Sequence, residues 1–142
     1  MPPGNASLGV PYLVIRVGRS RRRGNSVELQ RRGAMQIIFR GSLKEKKDAA
    51  YRDWEMNNRG AFEENAPPGW SYAGTYFTVF GFGKFEVETR WDLSSYGALD
   101  SARDHENEIW NRLILERMEF FEPTILGETY LMRGSEDVKF WE

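Results

Sequence analysis

An α+β sandwich, one antiparallel sheet carrying two helices on a single face, is the fold class that residues 35–142 predict. Three observations carry it. Apolar spacing switches between strand and helix periods in the order β-α-β-β-α-β, the central stretch reads as a β-hairpin, and the composition suffices for one core. The chain has 142 residues, 40% hydrophobic and 29% charged, the size of one ordinary domain. No run approaches the ~18–20 apolar residues of a membrane span.

Net charge is −1 overall but is split along the chain. Residues 1–34 hold seven arginines (16, 19, 21, 22, 23, 31, 32) and one glutamate, a net +6, which leaves −7 for the remainder. Nineteen of the 20 aromatic residues also lie after residue 34. The leader is therefore expected to be disordered and the folded domain to begin at Met35. Three readings fit the leader: a nucleic-acid arm, an Arg-rich transit peptide, or upstream sequence translated ahead of a true start at Met35. The last is favoured by "QRRGAM", because Arg-Arg two codons before Met matches a translated purine-rich ribosome-binding site.

Within 35–142, "QIIFR" (Gln36–Arg40) is β-prone and stops at Gly41. Ser42, with Glu45 three residues on, predicts a capped helix over Leu43–Phe62. Leu43, Ala50, Tyr51, Trp54 and Ala61 form its apolar stripe, and Lys44, Glu45, Lys47, Arg52 and Glu55 point elsewhere. Pro67-Pro68 ends the segment. Strands are predicted at Ser71–Phe80 and Lys84–Trp91. A second helix, capped by Ser94 or Ser95 and ended before Pro123, buries Ala98, Ala102, Ile109, Leu113 and Phe120. "GETYLMR" (127–133) gives a fourth strand and "DVKFWE" (137–142) a short final one. Two β-α-β crossovers joined by a hairpin define a ferredoxin-like sandwich.

A three-residue hairpin loop, Gly81-Phe82-Gly83, places Phe80 opposite Lys84. Ala73, Thr75, Phe77 and Val79 then share the core face with Phe85, Val87, Thr89 and Trp91. Gly74, Tyr76, Thr78 and Phe80 share the other face with Lys84, Glu86, Glu88 and Arg90. A two-residue loop would mix Phe77 with Glu86, so the clean separation selects the odd-length loop. The second face sets aromatic rings beside paired charges, a composition expected to meet a partner or a ligand.

The hairpin "GWSYAGTYFTVFGFGKFEVETRW", the long helical stretch "YGALDSARDHENEIWNRLILERMEFF" and the element order resemble the dimeric α/β-barrel superfamily. Its members include antibiotic-biosynthesis monooxygenases, EthD-like proteins and NIPSNAP-like proteins. The resemblance implies a homodimer whose two sheets face each other around a lumen that can take a small organic ligand, with "DVKFWE" lent to the partner's sheet. It supplies no shared catalytic signature. An RNA-recognition module has the same element order, and "IFRGSL" and "GFGKFEV" resemble its two motifs. Lys84 stands where a stacking aromatic is needed, however, and net −7 opposes a nucleic-acid partner.

Glu86 and Glu88 alternate to one face, with Arg90 beyond and Tyr76 across from Glu88. Desolvation would raise a carboxylate's pKa there and Arg90 would lower it. The chemistry this suggests is proton abstraction by Glu88 or Glu86 from an aromatic or enolisable substrate polarised by Tyr76 and Arg90, as in cofactor-independent oxygenation or isomerisation. The competing reading is an ion-pair ladder in a non-enzymatic interface. His105, the single histidine, lies on the apolar stripe of the second helix and is expected to be a hydrogen-bonded core residue. With no cysteine in the chain, thiolate catalysis and disulfides are excluded, and a cytoplasmic setting fits. No metal spacing is visible, and "GFG" lacks the third glycine of a dinucleotide loop, so no cofactor is expected.

Overall fold

The structure, a computed structural model, describes residues 35–140 apart from Phe82. Strand β1 (Met35–Gly41) leads through helix α1 (Asp48–Glu64) to β2 (Trp70–Phe77) and β3 (Val87–Leu93). Helices α2 (Gly97–Arg103) and α3 (Glu108–Met118) then precede β4 (Glu128–Arg133). The sheet order is β2-β3-β1-β4 with every neighbouring pair antiparallel. This is the ferredoxin-like sandwich, with β3 inserted between β1 and β2. The leader expected at 1–34 lies outside the described residues.

Strand periodicity decides which side chains meet the helices. Met35 and Ile37 of β1 and Trp91 and Leu93 of β3 are buried with Phe62, Ala98 and Leu113 from the helical layer. A second cluster, Leu43, Tyr51 and Val87, closes the other end. The even-numbered residues of β1 and β3 therefore face away from the helices. Among the described residues no helix is long and apolar enough to cross a membrane.

The hairpin keeps the expected parity near its turn: Tyr76 pairs with Glu88, Thr75 with Thr89 and Phe77 with Val87. Two features differ. The ladder stops at Phe77 and Val87, so the connection spans 78–86 and not three residues, held by Thr78 N–H donating to Glu86 O at 2.8 Å. Val79, expected in the core, is 96% exposed, and Phe80 is exposed beside it. Both lie beyond the last ladder pair, Phe77 with Val87. The second feature is a register shift between Tyr72 and Gly74. This bulge at Ala73 turns Tyr72, paired with Trp91, toward the helices in Ala73's place. Gly74 makes it possible: its φ of +129° is a conformation that a Cβ would strain.

The helices also depart from expectation at their ends. Ser42 does not cap α1; its Oγ donates to Lys84 O at 2.9 Å, and α1 begins only at Asp48 with no side-chain cap. Backbone pairing wins there, since Lys44 N–H donates to Phe120 O and Glu122 N–H to Ser42 O, both at 2.8 Å. Ala50 is exposed, while Glu55, expected on an outer face, is buried. The predicted second helix is two helices. Neither Ser94 nor Ser95 caps α2, whose N-cap is Tyr96. The break falls at Asp104–Asn107, because the Asn107 side chain accepts from Trp110 N–H at 2.8 Å and starts α3 afresh. Ile109, expected in the core, is exposed as a result. Residues 137–140 form no strand; Val138 N–H closes a turn on Gly134 O, and the last two residues lie outside the described residues.

Candidate functional site

Two surfaces of the sheet carry chemistry. On the face away from the helices, the register aligns Tyr76, Glu88, Arg40 and Glu128 in one row and Gly74, Arg90, Ile38 and Tyr130 in the next. Glu88 sits between two guanidiniums, accepting from Arg40 Nε at 2.8 Å and from Arg90 Nε at 2.5 Å. The Arg90 guanidinium lies 5.0 Å from the Tyr76 ring centre and that of Arg40 lies 4.8 Å from Tyr130. These side chains shield Ile38, which is only 3% exposed although it points away from the helical layer. Burial alone would push the Glu88 carboxyl up; hydrogen bonds from Arg90 and Arg40 outweigh it and hold the group below the usual carboxylate range.

Tyr76, Glu88 and Arg90 are thus brought together. Glu86 is not with them: its Oε1 accepts the Leu43 backbone N–H at 2.9 Å and supports the turn after β1. A depression of about 360 Å³ on this side is lined by Glu88, Arg40, Lys84 and Glu128, without Tyr76, Glu86 or Arg90. His105 is hydrogen-bonded, as expected, but half-buried and not in the core. Its Nε2 is 2.7 Å from Asn65 O, and Asn107 Nδ2 donates to Asn65 Oδ1 at 3.1 Å. The two contacts tie the end of α1 to the start of α3.

The second site lies beneath the sheet, between β1–β3 and helices α1 and α3, and the sequence reading did not include it. A cavity of about 220 Å³ is walled by Trp54, Trp70, Trp91 and Trp110 with Phe39 and Phe62. The rings meet edge to face: Trp91 lies 5.5 Å from Trp110, 5.8 Å from Trp70 and 6.2 Å from Phe62. Two indoles are fixed through their N–H groups, Trp54 on Glu116 Oε1 at 3.0 Å and Trp70 on Ala98 O at 2.7 Å.

One wall of this cavity is polar. Tyr72 Oη donates in a short hydrogen bond to Glu55 Oε2 and lies 2.5 Å from Thr75 Oγ1, which is 3.3 Å from Thr89 Oγ1. Arg59 Nη2 donates to Glu55 Oε1 at 2.8 Å from the solvent side. Burial pushes the Tyr72 phenol pKa up, and its bond to Glu55 raises it further, so it stays protonated across the physiological range. The Glu55 hydrogen bond raises Arg59 as well. Charged neighbours in the sequence, Arg52 and Asp53, disguise Glu55 as an outer-face residue. It falls one helical turn after the buried Tyr51, on the same stripe, and that spacing was the available signal. Tyr72 could not be found from alternation alone, since only the bulge turns it inward.

With this geometry established, solved structures provide the comparison. An uncharacterised NIPSNAP domain protein from Burkholderia xenovorans aligns over 75% of this chain and 99% of its own, with a TM-score of 0.57 and 9% identity. A NIPSNAP family protein of unknown function from Agrobacterium tumefaciens aligns over 72% and 89%, with a TM-score of 0.53 and 17% identity. An EthD family protein from Bacillus halodurans aligns over 71% and 98%, with a TM-score of 0.50 and 16% identity. The fold is theirs. At these identities the likeness is one of backbone architecture alone. No family model matches the sequence. No curated protein matches it either.

Proposed function

We propose that this domain binds a small aromatic molecule in the cavity between its sheet and its helices, and that it does so as a homodimer joined through the bare sheet face. The observation that carries the first part is the convergence of four of the chain's five tryptophans on one space of about 220 Å³. An apolar cavity of about 150 Å³ accepts benzene, so one ring or a small fused pair fits here. A core that served packing alone would close such a space, because an unfilled one forfeits stability.

The polar wall supplies chemistry. Glu55 is a buried carboxylate able to take a proton from a phenolic or enolisable ligand. Once Glu55 is protonated, the Tyr72 hydrogen can turn to the oxyanion that forms. That is the opening step of cofactor-free isomerisation and, with dioxygen as co-substrate, of cofactor-free oxygenation. In this reading Glu88, which lies on the opposite face of the sheet from the cavity and pairs with Arg40 and Arg90, serves the subunit joint together with Tyr76, and Glu86 holds a turn. The acid–base role in this reading belongs to Glu55 and not to Glu88 or Glu86. Support for the joint comes from Tyr76 and Met132, each 51% exposed on that face. The cysteine-free sequence fits a cytoplasmic setting.

Thermal melts of the full chain with phenol and with indole test the cavity. Saturation at about a hundred times Kd adds roughly 2.7 kcal/mol of stability, and an unchanged midpoint with both ligands at millimolar concentration contradicts the proposal. Light scattering tests the joint: two chains per particle are expected, and a monomer at micromolar concentration refutes it without touching the cavity.

A further inference from the structure

The cavity does not end at its tryptophans. Arg117, in the last turn of α3, lines it and also lines an open vestibule of about 360 Å³ bounded by Phe39, Phe121, Pro123 and Ile125. Phe39 and Arg117 are common to both spaces, so the guanidinium stands where the inner cavity meets the outer one. It is held in place from two sides. Its Nε donates to the buried Tyr51 hydroxyl at 3.0 Å, and its carbon lies 4.6 Å from the Phe121 ring centre. A guanidinium fixed through Nε keeps its two terminal amines together as a fork that fits a carboxylate.

Among the described residues, Arg117 has no carboxylate within ion-pair distance. The described residues include eight arginines (40, 52, 59, 90, 103, 112, 117, 133), and six of them pair with a carboxylate within 4.0 Å. Arg117 and Arg133 do not, and Arg133, beside Met35 on the helical side of the sheet, instead donates to the Tyr96 hydroxyl. Glu122 and Glu128 also line the vestibule, but neither pairs with Arg117; each accepts from a neighbouring hydroxyl, Glu122 from Thr124 and Glu128 from Tyr130. A half-buried cation beside an aromatic box, with no carboxylate in direct contact, is able to receive an anion brought by a ligand.

We propose that the ligand is a small aromatic carboxylic acid whose ring enters the tryptophan-lined cavity and whose carboxylate rests on the terminal amines of Arg117 at its mouth. This rests on the cavity reading above and adds the ligand's charge and orientation to it. Arg117 is then the residue that sets specificity, while Tyr72 and Glu55 act on the enclosed end of the molecule.

The test uses tryptophan fluorescence of the full chain, titrated with 4-hydroxybenzoate and with its neutral isostere 4-hydroxybenzamide. The wild-type protein is expected to favour the acid by about tenfold or more, the usual worth of a charge-assisted hydrogen bond. The acid's Kd is expected to rise with salt while the amide's does not. Arg117→Met should remove that preference and leave amide binding within about twofold. Arg117→Lys should keep part of it, and Arg133→Met should change neither ligand. The salt titration needs no variant, so it decides the matter even if Arg117→Met fails to fold. Saturable binding of both ligands with equal, salt-independent Kd overturns the carboxylate assignment and keeps the cavity. No saturable quenching by either ligand overturns the cavity reading and this inference with it.

Discussion

Tyr72→Phe isolates the hydroxyl that links the cavity's polar wall. The substitution removes one oxygen and leaves the ring, which packs 5.2 Å from Trp91, in place. Glu55 then keeps Arg59 on Oε1 but loses the donor on Oε2, and Thr75 loses its 2.5 Å neighbour. Glu55 is only 5% exposed, so water does not readily replace that donor. A hydrogen bond to a buried charged acceptor contributes about 2 kcal/mol, which for a domain of this size is roughly 10 °C in Tm. Tyr76→Phe is the control: its hydroxyl is exposed and makes only a 3.4 Å contact with Ala73 O, so its effect stays within about 0.5 kcal/mol. The pH dependence adds a second signature. Burial and the Glu55 bond raise the Tyr72 pKa in the folded protein. This contribution to stability is therefore complete below the ordinary tyrosine value and is lost as pH rises from about 10 toward the raised one. Tyr72→Phe should abolish that alkaline loss. Chemical denaturation at pH 7 and pH 11 measures both effects. A change at pH 7 no larger than that of Tyr76→Phe would refute the account of the polar wall.

Three further outcomes follow from the same contacts. Gly74→Ala forces a Cβ onto φ +129° and to within 3.1–3.2 Å of the Tyr76 side chain, and should cost about 1–2 kcal/mol with faster amide exchange across β2; an unchanged exchange pattern speaks against the bulge. Glu88 is held below the usual carboxylate range, so its contribution is present above that range and lost as pH falls through the lowered value. Glu88→Gln should therefore flatten the acid limb of the stability curve and cost about 1–2 kcal/mol at neutral pH; an acid limb identical to wild type excludes the pairing. Tyr130→Asp on the bare face should turn a dimer into a monomer by light scattering with the far-UV circular dichroism unchanged, and a persistent dimer would place the joint elsewhere.

Much of the fold is legible in the sequence because a strand's side chains alternate with period two. Ile37, Thr89 and Trp91 are apolar or small on one side, Arg40, Glu88 and Arg90 charged on the other, and that pattern alone fixes the sheet's two faces. It also brings Tyr76, Glu88 and Arg90 together ahead of any coordinates. What alternation cannot encode is a change of phase. The bulge at Ala73 inserts one residue, and from there back to Trp70 every inward side chain differs from the unbroken reading. Helix ends were lost to a similar competition. Ser42 and Glu45 have a capping spacing, but the backbone of Ser42–Lys44 pairs with Phe120–Glu122, a contact between segments far apart in sequence. Asn107 three residues before Trp110 is the signal that splits the second helical stretch, and it was hidden within a run of charges. Glu55 illustrates the remaining gap. Only its distance of four residues from Tyr51 marks it as inward, and the tertiary partners that make its burial tolerable, Tyr72 and Arg59, come from different parts of the pattern.

Heteronuclear NMR of the full chain titrated with phenol, read at the assigned indole N–H resonances, tests the cavity most directly. Saturable shifts at Trp54, Trp70, Trp91 and Trp110 with one shared Kd are the predicted result. Shifts confined to the backbone amides of Arg40, Glu88 and Arg90, with those indoles unmoved, would contradict it and return the ligand to the opposite face of the sheet.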